Sequence, residues 1–125
     1  MFLNGGGMRG GPIHHLLGGA ALIAETRTAA RYRFYSVADR YPALVPVDAG
    51  GVAVAGELYD LPMRLLREDL LPSEPPELEL GVVLLHDGTE SLGMVLRAAY
   101  DGDADLTDIS DLASWNAHLA RLGER

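Results

Sequence analysis

Few residues in this chain are equipped for chemistry. Its 125 residues include no cysteine, and all ten of its cationic side chains are arginine. Thiolate nucleophiles, thiolate metal sites, disulfides and lysine Schiff bases are therefore excluded. What remains is a glycine-rich loop, four histidines and scattered carboxylates. The loop is Asn4-Gly5-Gly6-Gly7-Met8-Arg9-Gly10-Gly11, with glycine at five of the seven positions from 5 to 11. Without a Cβ, backbone comes close to a ligand, and successive N–H groups can wrap an anion or a carbonyl. Pro12 suits the first position of a helix, whose positive end would add to that field. Ordering so many glycines costs more entropy than a mere turn warrants. The loop has neither the Gly-Lys-Ser/Thr of a nucleotide-phosphate loop nor a dinucleotide fingerprint. A carboxylate or carbonyl ligand fits it better than a phosphate.

His14 and His15 follow this loop. Adjacent helical residues point about 100° apart, so the pair is not expected to chelate one metal. One can face the loop while the other faces core or solvent. An imidazole beside an oxyanion-binding loop could act as acid or base near neutral pH, which makes His15 a candidate. His86, at a turn, and His118, in the last helix, read as solvated bystanders. Glu57 sits in an apolar strand. It is either an outward position or a carboxylate projecting into the sheet and pairing with Arg9. Tyr59, two residues on, shares its face. Glu68, Asp69, Glu74 and Glu77 cluster around a proline-rich helix exit and read as a solvated face.

The elements that must position these groups are short. Phe2–Asn4 is a strand candidate running into the loop. Residues 13–17 make a helix too short to stand alone. Strands are expected at 21–26, 31–37 and 52–59, then a helix from Met63 to Leu71 stopped by Pro72, Pro75 and Pro76. Residues 78–85 and 91–98 flank Asp87-Gly88, a hairpin signal. Asp101 to Asp105 reads as a solvated acidic loop. Ser110 and Asp111 cap a last helix reaching Leu122, with Leu112, Trp115 and Leu119 as its packing stripe. Long strands with few helices argue for an α+β domain built on a small, bent, antiparallel or mixed β-barrel. They argue against a doubly wound sheet.

Composition sets the outer limits. Hydrophobic residues make up 48%, enough for a core, and the length suits a single domain over residues 1–125. A net charge of −8 repels a phosphate backbone, so nucleic acid is not an expected partner. No apolar run reaches the roughly 18 residues of a membrane span. The N-terminus lacks a secretory pattern, and the cytoplasm is the expected compartment. No metal or organic cofactor is implied.

The ordered motifs resemble a known family. Met8-Arg9-Gly10 and Pro12-Ile13-His14-His15-Leu16-Leu17 look like the opening of the allophanate hydrolase C-terminal domain. Thr26 to Tyr35, Gly56-Glu57-Leu58-Tyr59-Asp60-Leu61-Pro62, Pro76 to Val83 with Asp87-Gly88, and Asp108-Ile109-Ser110 with Trp115 are similar to its later segments. The resemblance implies a gamma-glutamylcyclotransferase-like fold, sometimes called AIG2-like. It also implies decarboxylation of N-carboxycarbamate, a lyase step in urea and carbamate metabolism. In that reading His15 and Glu57 are catalytic, while Asn4, Gly5, Gly6, Gly7, Met8, Arg9 and Tyr59 bind a small carboxylate or carbamate. A gamma-glutamylcyclotransferase reaction using a carboxylate near Glu74 is an alternative. A non-catalytic domain that forms a homodimer or assembles with a separate amidase is another. No Ser-Ser-Lys amidase machinery occurs in the chain, so amide hydrolysis of allophanate is not expected of it.

Overall fold

A computed structural model describes residues 1–98 and 105–123. The acidic loop expected from Asp101 lies outside them except for Asp105. The strands are β1 (Phe2–Leu3), β2 (Ala21–Arg27), β3 (Tyr32–Val37), β4 (Tyr41–Pro46), β5 (Ala55–Asp60), β6 (Leu78–Leu84), β7 (Glu90–Leu96) and β8 (Leu106–Asp108). A five-stranded sheet has the order β2-β5-β1-β7-β6, and a three-stranded sheet the order β4-β3-β8. All pairings are antiparallel except β1 with β7, so the larger sheet is mixed.

The expected α+β class and bent sheet hold. The described strands form two sheets, however, instead of one closed barrel. The larger sheet curls until its outer edges touch at one end. There Thr28 bridges Leu85, and the Ala29 and His86 N–H groups donate to the carbonyls of Leu84 and Arg27 at 3.0 and 3.1 Å. The Thr28 hydroxyl is fully buried at this seam and accepts the Val54 N–H at 2.9 Å.

The two-residue β1 lies at the centre of this sheet, with Phe2 opposite Leu58 on one side and Gly93 on the other. Glycine is needed on the neighbouring strand. A Cβ at Gly56 would sit 2.4 Å from the Phe2 ring and 2.5 Å from the Leu3 carbonyl. The main apolar core gathers Phe2, Leu17, Phe34, Leu44, Leu70 and Ile109 from both sheets and from the helical segments.

Two strands were not anticipated. β4 carries Pro42 and Pro46, which a central strand excludes and an edge strand tolerates. β8 is only three residues long. The second helix runs past Pro72 as α1 (Met63–Leu65), a π turn (Leu66–Leu70) and α2 (Leu71–Ser73). The wide turn reshapes the hydrogen-bond ladder just where Pro72 has no N–H to give. The last helix, α3 (Trp115–Gly123), starts later than expected, with the Ser114 hydroxyl accepting the Ala117 N–H at 3.2 Å. Trp115 is core as expected. Its inward companion is His118, three residues on, while Leu119 is exposed.

Candidate functional site

The glycine loop emerges from β1 at the middle of the larger sheet, and its two sides have different surroundings. Its rear is clasped. Glu57, 7% exposed, accepts the Arg9 backbone N–H and the Tyr59 hydroxyl on Oε1, at 2.8 and 2.7 Å. Its Oε2 accepts the Arg9 Nε at 2.8 Å. The Arg9 guanidinium also binds Glu25. Burial alone would raise the Glu57 carboxyl, but the Arg9 and Tyr59 donors outweigh it and hold the group below the usual carboxylate range. Burial, and then the Glu57 carboxylate, push the Tyr59 hydroxyl up to about 12.

The loop's own bonds hold its shape. Its carbonyls accept Met8 N–H at Gly5 and Ile13 N–H at Gly6, both at 3.1 Å, while Gly5, Gly6 and Gly7 donate none of the loop's backbone bonds. A Cβ at Gly11 would lie 2.1 Å from the Gly6 oxygen, so only glycine lets the two limbs cross. The 3-10 helix His14–Leu17 then follows. At about three residues per turn, its adjacent side chains diverge strongly. His14 turns back, with Nδ1 3.0 Å from the Gly7 carbonyl and its ring 5.9 Å from that of Tyr59. His15 is exposed.

The loop's front opens into a cleft of about 170 Å³. Asn4 to Gly7 form one wall, Arg40, Tyr41 and Pro42 of β4 and its preceding turn another, and Ser73, Glu74 and Pro75 a third. Leu78 and Met94 supply apolar floor. Glu74 stands apart chemically. Burial lifts its carboxyl up to about 7, and no described residue hydrogen-bonds to it. A second, shallower cavity of about 520 Å³ lies on the clasp side, lined among others by Met8, Glu25, Arg27, Glu57 and His86.

Residues 1–120 match the family profile of the allophanate hydrolase C-terminal domain. The chain belongs to that family. Its fold is gamma-glutamylcyclotransferase-like. It is similar to a uropathogenic E. coli-specific protein of known crystal structure, at 33% identity and a TM-score of 0.86, covering 95% of this chain and 93% of that one. It is also similar in fold to Kluyveromyces lactis urea amidolyase, at 20% identity and a TM-score of 0.87, and to the allophanate hydrolase of that organism, at 20% and 0.84. Each alignment covers 97% of this chain, but only 8% and 21% of those much longer proteins. No curated protein matches the chain.

Within this family member, the residues singled out from sequence fall into three places. Asn4, Gly5, Gly6 and Gly7 line the cleft. Met8, Arg9, Glu57 and Tyr59 belong to the rear clasp, with every Glu57 oxygen and the Arg9 side chain already engaged. His15 lines neither cavity. Sequence reasoning passed over Arg40 and Tyr41, because the turn before them contains no glycine. Glu74 was read as one acid of a solvated cluster and, through the cyclotransferase resemblance, as the neighbourhood of an alternative carboxylate; the prolines around it gave no sign of its burial in the cleft. His118, read as solvated, is 3% exposed. Among the described residues no His, Asp and Glu cluster suited to a metal occurs, and no helix is long and apolar enough to cross a membrane.

Proposed function

We propose that the cleft binds a small carboxylate- or carbamate-bearing molecule against the Asn4–Gly7 loop, and that Glu74 exchanges a proton with it. One observation carries this reading: a carboxyl with no hydrogen-bond partner among the described residues, pushed up to about 7 by burial, shares a cavity with loop glycines whose amides bond to no described residue. A group titrating near the working pH is suited to general acid–base work.

The family's associated reaction fits this arrangement. Loss of carbon dioxide from N-carboxycarbamate breaks a C–N bond and leaves the electron pair on nitrogen. Protonated Glu74 supplies the proton there, and the loop N–H groups hold the carboxylate that remains. Water then reprotonates Glu74. His14 and Glu57 act indirectly, by holding the loop in shape; His15, on the exposed side, has no part in this scheme.

A cyclotransferase-type reaction is the second reading. The observation favouring it is that the titrating group in the cleft is a carboxylate, as that resemblance implies. Glu74 would then take the proton from the attacking amine and return it to the leaving one. Assembly with an amidase, as the longer relatives suggest, is compatible with either reaction, as is a cytoplasmic site of action.

Two assays separate the readings: carbon dioxide release from N-carboxycarbamate generated in situ, and 5-oxoproline formation from a gamma-glutamyl dipeptide. Glu74→Gln should lower the active one by about 10²- to 10⁴-fold, whereas His15→Asn should leave it unchanged. Retained turnover in Glu74→Gln with loss in His15→Asn would return the chemistry to the histidine. No turnover of either compound by the parent protein would leave a binding domain.

A further inference from the structure

The cleft described above has an anion-recognising group that the loop chemistry does not explain. Arg9, the cation nearest the glycines in sequence, is consumed by Glu57 and Glu25. Arg40 is different. It lines the cleft, and no described residue accepts a hydrogen bond from its guanidinium. That group lies 5.5 Å from the centre of the Tyr41 ring, and its charge helps to lower the Glu77 carboxyl. Unspent guanidinium donors facing a small cavity are suited to a planar, two-oxygen anion.

The placement of Arg40 is built at a cost. The turn from β3 to β4 is Val37-Ala38-Asp39-Arg40, closed by Arg40 N–H to the Val37 carbonyl at 3.0 Å. Ala38 and Asp39 both have positive φ, 53° and 59°, without being glycine. Such strain persists only where the surroundings over-determine it. Here Ser36 and Asp39 exchange two hydrogen bonds, each 3.0 Å. From α3, His118 Nε2 reaches Asp39 Oδ1 at 2.9 Å. The His118 ring is buried against Trp115, and its Nδ1 has no partner among the described residues, so the side-chain hydrogen bond seen there is directed at this turn. On the far side, the Tyr41 hydroxyl donates to Glu77 at 2.5 Å, tying the same hairpin to the segment that carries Glu74.

We propose that Arg40 selects ligands carrying a second carboxylate besides the one held by the glycine loop, and that His118, acting through Asp39, is the residue that positions it. This rests on the cleft being the ligand site. It makes the favoured ligand a compact molecule with two anionic ends, one on the loop and one on Arg40.

Calorimetric titration tests this with malonate, a stable dicarboxylate of similar shape to N-carboxycarbamate, and malonamide, its neutral counterpart. Arg40→Gln should weaken malonate by about tenfold to a hundredfold, the usual range for a lost charge-assisted contact, and leave malonamide within about twofold. Asp39→Gly accepts the positive φ but releases His118. It should still melt cooperatively yet bind malonate about threefold to tenfold more weakly, and His118→Leu should weaken malonate similarly. Parent-like malonate binding in Arg40→Gln, or equal losses of both probes, overturns the selectivity while leaving the cleft reading intact. Parent-like malonate binding in Asp39→Gly overturns the positioning role. A parent protein that binds neither probe removes the cleft reading itself, and this inference with it.

Discussion

Glu74 carries a stability cost that reveals its readiness for chemistry. Burial raises its carboxyl from an unfolded value of 4.5 to about 7. For a raised carboxyl the sign is unfavourable. The folded state is unpenalised below pH 4.5, where both states are protonated, and loses stability as pH rises from there through 7. That shift corresponds to roughly 3 kcal/mol at most. Glu74→Gln should therefore raise the melting temperature clearly at pH 8 and barely at pH 4.5. Equal gains at both pH values would show that the carboxyl is ordinary. Glu57 has the opposite sign: its lowered value adds stability at neutral pH that disappears on strong acidification. The sequence left Glu57 either outward or paired with Arg9, and the pair is what forms. Sequence spacing did not separate a saturated carboxylate from a vacant one, since vacancy depends on what packs around the group in three dimensions. The same holds for His14 and His15, where one step around a tight helix decides which ring meets the Gly7 carbonyl.

At the scale of elements, the β3–β4 hairpin shows why part of the fold was hidden. Hairpins are legible when Asn-Gly or Asp-Gly supplies positive φ, as Asp87-Gly88 does between β6 and β7, with Gly88 at φ 88°. Ala38-Asp39 supplies positive φ at both positions without that signature, and Pro42 and Pro46 disguised the following strand. Left-handed backbone costs a non-glycine residue about 1–2 kcal/mol. Ala38→Gly should thus stabilise the protein by a net ~0.5–1 kcal/mol once glycine's extra unfolded-state entropy is counted. Thermal denaturation at fixed pH would detect it. A fall in stability would mean that the turn is not strained as described. The glycine loop, β5 and the β6–β7 hairpin were legible because their glycines, alternation and turn residues are local signals. Closure of the larger sheet at Thr28 and Leu85 was not, because it joins residues far apart in the chain.

For the whole molecule, one core serves both sheets. Trp115 is 4% exposed in the cluster that contains Phe2 of the larger sheet and Phe34 of the smaller. Trp115→Ala should cost about 3–5 kcal/mol, a large share of the stability of a domain this size. Circular dichroism in the near and far ultraviolet should show both signals lost together at a lower temperature. A melting temperature close to the parent's would place the indole outside the core.

The contact between Gly56 and Phe2 has a consequence for how this protein can vary. A methyl group at position 56 would have to occupy space already held by an aromatic ring and a main-chain carbonyl. Neither can retreat without breaking the pairing of β1 with β5, and that pairing launches the loop. At position 56 the usable alphabet is a single letter. At Gly10, where an added Cβ meets nothing, only the left-handed backbone restricts the choice. Tolerance to substitution therefore differs sharply among glycines that look alike in the sequence: some keep a conformation available, and this one keeps a volume empty.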